Sequence, residues 1–363
     1  MRLVLMGTGP FAVPSFERIR ETHEILAVIY RPEKSQSHVK KGPPPSPVRL
    51  WAEQHDLPVF APSTMNSSES IAWLRSMQAD LMVVCDYGQI LSSECLGATR
   101  LGGINLHGSL LPRHRGAAPV QWSILTGDVE AGVSVIHMTP GLDAGPVLAH
   151  ASTRIGSTEN AWELERRLSE LGQEPTLRSI ESLSSLKPGD QPQGRPQDKS
   201  LATKAPRLAK ADGLLDPRYS ARYLDRQIRG LQPWPGTYMN VHFESGTELR
   251  MIVSRSTSIV CTIANLVPDV LGSWEIGALV YGKKAQSLAQ SLSLQDPIHL
   301  GILVLDGILN LHTVQPAGKR EMSAEEFVRG YARQEWMRIG FSNEPHPLLE
   351  SMIRMESQNE AAR

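Results

Sequence analysis

The chain has little cysteine: among 363 residues only Cys85, Cys95 and Cys261 occur, and none stand at metal-ligand or redox spacing. This argues against a disulfide framework and is consistent with a reducing compartment. Net charge is equally scarce. Thirty-seven Lys and Arg face 38 Asp and Glu, a formal −1, so no global field draws the chain to nucleic acid and any basic footprint has to be local. No apolar run approaches the ~20 residues that span a bilayer. Arg2 to Met6 reads directly as a buried strand, without the look of a signal or transit segment. Together these absences lead to the expectation of a cytoplasmic protein with no membrane partner. What is present, 40% hydrophobic and 21% charged residues, is an ordinary soluble composition in a chain long enough for two domains.

Leu3 to Met6 stops at Gly7-Thr8-Gly9-Pro10, with a helix expected after Pro14. The third glycine of a dinucleotide-binding fingerprint is missing and Pro10 and Pro14 occupy the turn, which disfavours a nicotinamide cofactor. Apolar runs at Glu24 to Tyr30, Pro58 to Ala61 and Asp80 to Cys85 alternate with helical patterns, one capped by Ser46 with Pro47 at its first position and another from Ser67 to Gln78. That alternation predicts a doubly wound, mostly parallel α/β sheet of Rossmann-like type. Leu164, Leu168 and Leu171 at helical spacing close this first domain, taken as residues 1–186. Residues 187–203, rich in Pro, Gly and charge, read as a linker. Beyond them, Ser220 caps a helix ending near Gly230, and short strands follow, with Asp306-Gly307 as a hairpin signal. Ser323 and Glu326 form a capping box. A small β-barrel over 204–342 is expected, with a frayed tail over 343–363.

The stretch Gly102 to Leu148 gathers the polar residues of greatest interest. Asn105 and His107 stand two apart in the short apolar run Gly103 to His107, so both side chains face one side of a strand. In open parallel sheets ligands sit beyond the carboxyl ends of strands, where His107 and the loop Ser109 to Pro119 fall. Asp143 lies in a Gly-Leu-Asp-Ala-Gly turn after the run Val133 to Met138, and two strands ending side by side would bring all three together. Singly, each has a bland reading: a hydrogen-bonded strand-end His, and an Asp serving its turn.

Their conjunction resembles a known family. Asn105-Leu106-His107, Ser109-Leu110-Leu111-Pro112 and Gly141-Leu142-Asp143 are similar to the ordered pattern of the formyltransferases that use 10-formyltetrahydrofolate, a match far more specific than a lone glycine motif. Tyr87-Gly88-Gln89-Ile90-Leu91 resembles a loop of that family's folate pocket, with Asp86 standing where the family tends to have a small apolar residue. Arg31 to Arg49 carries five Lys or Arg against one Glu; its place, and Lys40-Lys41 ahead of Pro-Ser-Pro-Val, resemble a basic insertion of the branch acting on transfer RNA. Leu231 to Gly236 and Gln315 to Arg320 resemble that branch's carboxyl-terminal barrel of oligonucleotide-binding type.

The resemblance implies formyl transfer from 10-formyltetrahydrofolate, as co-substrate, to the α-amino group of methionine on charged initiator tRNA, for translation initiation. It implies catalysis by Asn105, His107 and Asp143, a folate site at Tyr87, Gly88, Gln89, Ile90, Leu91, Ser109, Leu110, Leu111 and Pro112, and tRNA contacts at Lys40, Lys41, Arg49, Lys204, Arg207, Lys319 and Arg320. A monomer is favoured. The chemistry needs a neutral amine, stabilisation of an oxyanion and removal of a proton from nitrogen, for which an amide donor, an imidazole and a carboxylate suffice and no metal is needed. The same trio would serve formylation of an amino sugar or nucleotide precursor, or hydrolysis of the formyl folate. A noncatalytic RNA-binding protein is a further alternative, but it leaves the trio unexplained.

Overall fold

A computed structural model of the chain describes residues 1–33, 44–186, 194–261, 274–332 and 337–361. They form two compact units. The first comprises Met1–Val120, Val129–Ile155 and Glu163–Arg207; the second comprises Gln121–Asp128, Gly156–Trp162 and Leu208–Arg363.

The first unit is built on β1 (Arg2–Gly7), β2 (Glu24–Ile29), β3 (Val59–Phe60), β4 (Leu81–Cys85), β5 (Gly103–His107), β7 (Glu130–His137) and β8 (Val147–Arg154), in the order β3-β2-β1-β4-β5-β7-β8. The first five in that order pair parallel; β5–β7 and β7–β8 are antiparallel. β1 and β4 are fully apolar along their inner lengths, as strands covered on both faces must be. Ser46 Oγ accepts from Arg49 N at 3.0 Å, capping the helix Pro47–Gln54 as its sequence requires. The order reverses direction between β1 and β4, the switch point outside which such sheets bind ligands. The turn Gly7 to Gly9 and the loop after Cys85 flank it, joined by Thr8 N to Asp86 O at 3.1 Å.

A small parallel pair, β6 (Arg115–Gly116) with β9 (Lys204–Ala205), completes this unit. Within the segment expected to be a linker, residues 194–203 are therefore not a free spacer: Arg195 pairs with Val147 of β8, and Thr203 O accepts from Arg115 N of β6. Its composition conceals this, because neither its backbone pairing nor the distant partners of Gln197 and Thr203 can be read from residue types.

The second unit holds β10 (Thr237–Phe243), β11 (Glu248–Val260), β12 (Leu279–Tyr281), β13 (Leu300–Val304), β14 (Gly307–Pro316), β15 (Met322–Ser323) and β16 (Met337–Ile339). They run antiparallel in the order β12-β13-β14-β11-β10-β16, with β15 beside β14. An antiparallel bridge between Ala278 and Arg338 brings the two ends of the sheet together, giving a nearly closed barrel. Register shifts between Val253 and Ser256 bend β11 as a barrel strand must bend. Met239, Val241, Met251, Val253, Leu309 and Val314 are fully buried. The hairpin differs from its sequence reading. Val304 pairs with Gly307, so Leu305-Asp306 is the turn, and Gly307 serves a close approach in which a Cβ would lie 2.0 Å from Ile259 O.

The expected frayed tail is instead the helix Pro347–Ala361, with Leu348, Leu349 and Met352 buried and Glu356 paired to Arg226 at 3.0 Å. No helix among the described residues is long and apolar enough to cross a membrane.

Candidate active site

β5 places Asn105 and His107 on one face, and the turn after β7 folds back to them. Because β5 and β7 are antiparallel, with Ile104 opposite His137, the two strands do not end side by side, contrary to the expectation from sequence; Asp143 reaches the site from a turn six residues past the end of β7. Its carboxylate lies between the other two, with Oδ1 3.5 Å from Asn105 Nδ2 and Oδ2 3.7 Å from His107 Nδ1. Both separations are long, and leave room to tighten around a substrate or a relay water. A stronger bond, 2.9 Å from Gly116 N–H to Oδ2, fixes the carboxylate. On the far side of the imidazole, Nε2 lies 2.9 Å from the carbonyl of His114. A carbonyl only accepts, so Nε2 carries a proton, and Nδ1 is the ring nitrogen that faces Asp143.

The loop between β5 and β6 is held by Ser109 and by Ser134 of β7. Ser109 is fully buried; its Oγ donates to Arg113 O at 2.7 Å and its carbonyl accepts from Ser134 Oγ at 2.8 Å, while Leu111 N donates to the same Ser134 Oγ at 3.1 Å. The Leu111–Pro112 peptide is cis. Ser109 thus shapes the loop, and Leu110, Leu111 and Pro112 remain partly exposed. In the loop after β4, Tyr87 and Leu91 enter the core of the unit, and burial pushes the Tyr87 hydroxyl up to about 12. Gln89 is engaged with Met65 N and Ser63 O, Gly88 O accepts from Arg31 at 3.2 Å, and Ile90 is exposed. Of these five, Gly88 and Ile90 are the ones presented to solvent. Asp86 is an exposed residue, yet protein crowds its carboxyl and pushes its pKa up to about 6, the Gly9 N–H that it accepts acting in the opposite sense.

Residues 1–180 match the model of the formyl transferase family. A methionyl-tRNA formyltransferase of Rhodopirellula baltica is 45% identical over 91% of this chain and 94% of its own length. Another, from Geobacter metallireducens, is 33% identical over 94% of this chain and 99% of its own length. The chain belongs to the methionyl-tRNA formyltransferase family. Among solved structures, an N-formyltransferase of Helicobacter canadensis in complex with folinic acid and dTDP-3-aminofucose superposes with a TM-score of 0.58 at 16% identity, over 88% of this chain and 99% of that one. It supports the shared fold.

The cationic residues singled out in the sequence have unequal surroundings. Lys40 and Lys41 lie outside the described residues. Arg49 is tied to Glu33 and Glu53, each at 2.8 Å, and those carboxylates raise its already high pKa. Lys204 and Arg207 are exposed side chains of the first unit. In the second unit Lys319 is exposed, and Arg320 pairs with Glu326 at 3.0 Å. Sequence reasoning missed His114, Gly116, Gln197 and Thr203. Gly116 has a signal of a kind: at φ +136°, with a Cβ destined to meet Ala205 O at 2.4 Å, only glycine fits. Thr203, which accepts from His114 N at 2.9 Å, and Gln197 sit in a stretch whose composition points to a linker.

Proposed function

We propose that this chain transfers the formyl group of 10-formyltetrahydrofolate to the α-amino group of the methionine carried by initiator tRNA, the reaction that prepares it for translation initiation. The observation that carries this reading is the Asp143 carboxylate held between Asn105 and His107, in a chain related to methionyl-tRNA formyltransferases along nearly its whole length. The amine attacks the formyl carbon as a neutral nucleophile, which is accessible because an α-amino group titrates near or below about 8. Asn105 donates to the oxygen that gains charge. His107 Nδ1 takes the proton lost by the amine, directly or through water, and Asp143 supplies the counter-charge to the imidazolium so formed. When the bond from the formyl carbon to the folate nitrogen breaks, the imidazolium of His107 returns that proton, directly or through water, to the departing nitrogen.

The donor lies along Gly88, Ile90 and the Leu110–Pro112 segment, whose surfaces remain accessible. The tRNA engages Lys40, Lys41, Lys204, Arg207 and Lys319, with Arg49 and Arg320 contributing if they exchange carboxylate for phosphate. The test is direct: incubate the protein with charged initiator tRNA and 10-formyltetrahydrofolate, release the amino acid and look for formylmethionine. Formate released without an acceptor would identify a hydrolase instead, and failure to formylate methionyl-tRNA would overturn the reading.

A further inference from the structure

The turn that carries Asp143 does little to hold itself. Asp143 sits at φ +47°, and Ala144 N to Gly141 O is a long 3.4 Å bond. Its carbonyls are satisfied from elsewhere in the chain. Gln197 Nε2 donates to Asp143 O at 2.8 Å and to Gly145 O at 2.7 Å, so both amide protons are used. Gln197 Oε1 accepts from Arg115 Nε at 3.0 Å and Nη2 at 2.6 Å, so the oxygen is used as well. A reversed amide would aim its oxygen at two carbonyls and its NH₂ at two guanidinium donors, four repulsive approaches; the orientation has one solution. Arg115 leads directly to Gly116, whose N–H holds the Asp143 carboxylate at 2.9 Å. The bonds thus close a ring from the backbone of Asp143 through Gln197 and Arg115 to the carboxylate of the same residue.

Gln197 is placed for this by main-chain pairing on both sides: Arg195 with Val147 at 2.8 and 2.9 Å, and Thr203 and Ala205 with Arg115 and Ala117 at 2.9 and 2.8 Å. Between these anchors Pro196 and Asp198 are exposed, and Gln197 turns inward. We propose that Gln197 is a positioning residue for the transfer reaction: with Arg115 it sets where the Asp143 carboxylate stands relative to Asn105 and His107. A carboxylate displaced by about 1 Å costs on the order of a hundredfold in rate, whereas the surfaces that bind either substrate stay in place. The inference rests on the proposed transfer for its kinetic consequence, and on the geometry alone for its structural one.

Two readouts keep those apart. The amide proton resonance of Gly116 reports its bond to Asp143 with no substrate present; Gln197→Ala should move it in the same direction as Asp143→Asn does. In the formylation assay Gln197→Ala should lower kcat by about a hundredfold with both KM values unchanged. Added to Asp143→Asn it should cost less than about twofold, since two residues acting through one carboxylate are non-additive. The isosteric Gln197→Glu provides a second variant if Gln197→Ala does not fold, because an ionised carboxylate has no proton for the two carbonyls. An unmoved Gly116 resonance, or a kcat within about threefold of the parent, overturns the clamp. A parent inactive on methionyl-tRNA instead counts against the proposed function, and the Gly116 resonance still decides the clamp.

Discussion

Asp143 occupies a left-handed backbone conformation and also faces the reacting centre, and one substitution separates these two roles. Asn tolerates φ +47° at least as well as Asp and keeps nearly the same shape. Asp143→Asn should therefore leave the melting temperature almost unchanged while removing acid-base assistance, a loss of about a hundred- to ten-thousandfold in formylation rate. A folded variant retaining more than about a tenth of the parental rate would limit Asp143 to shaping its turn. Asp86 yields a prediction of the opposite kind, on stability. Its folded-state pKa of about 6 stands above the roughly 3.9 of an unfolded Asp, so the folded state holds this proton more tightly. Stability from that difference is fully present below about pH 4 and is lost as pH rises through 6. Asp86→Asn has nothing to lose, so its melting temperature should match the parent near or below pH 4, exceed it by a margin that grows as pH rises from about 4 to 6, and keep a constant margin above that; a gap that ignores pH would contradict the shift. At this scale the sequence was legible where periodicity acts. Asn105 and His107 share a face because strands alternate, and Asp143 sits in a recognisable turn. Gln197 was not legible, since its role depends on carbonyls more than fifty residues away.

Elements were most readable where local chemistry decides them. Ser46 and the Ser323–Glu326 box cap helices through bonds between residues three apart, and the inner strands are apolar because both their faces are covered. The differences arise where tertiary packing decides. β8 alternates half-buried and exposed residues over most of its length, a weak pattern in a sheet otherwise marked by continuous apolar runs, and its sequence carries no clear strand signal. The carboxyl-terminal helix escaped notice because its apolar positions are few and clustered near its start. Leu349 among them is fully buried. Leu349→Ala should therefore cost about 2–5 kcal/mol, read by denaturant unfolding, whereas a frayed tail would lose almost nothing.

Over the whole molecule the charges nearly cancel, so affinity for a polyanion has to come from where cations are left over. Lys204 to Arg229 holds seven Lys or Arg against three Asp, but the structure divides them. Arg218 pairs with Asp216 at 2.6 Å, Arg226 with Glu356 at 3.0 Å and Arg229 with Asp225 at 2.9 Å. These guanidiniums are committed to carboxylates, and drawing one away would strand its partner in partly buried surroundings. Lys204, Arg207 and Lys210 are exposed within seven residues of chain. Each cation that contacts a phosphate releases condensed counterions and adds close to one unit to the dependence of log affinity on log salt. Replacing Lys204 and Arg207 together with Ala should thus flatten the salt dependence of methionyl-tRNA binding by up to about two units and leave the KM for the folate donor where it was. Lys283 and Lys284, exposed at the start of the helix Gly282–Ser291, provide a charge-matched comparison. If their double replacement flattens the slope as much, only net charge matters; if neither pair alters it, the phosphates are met by other residues.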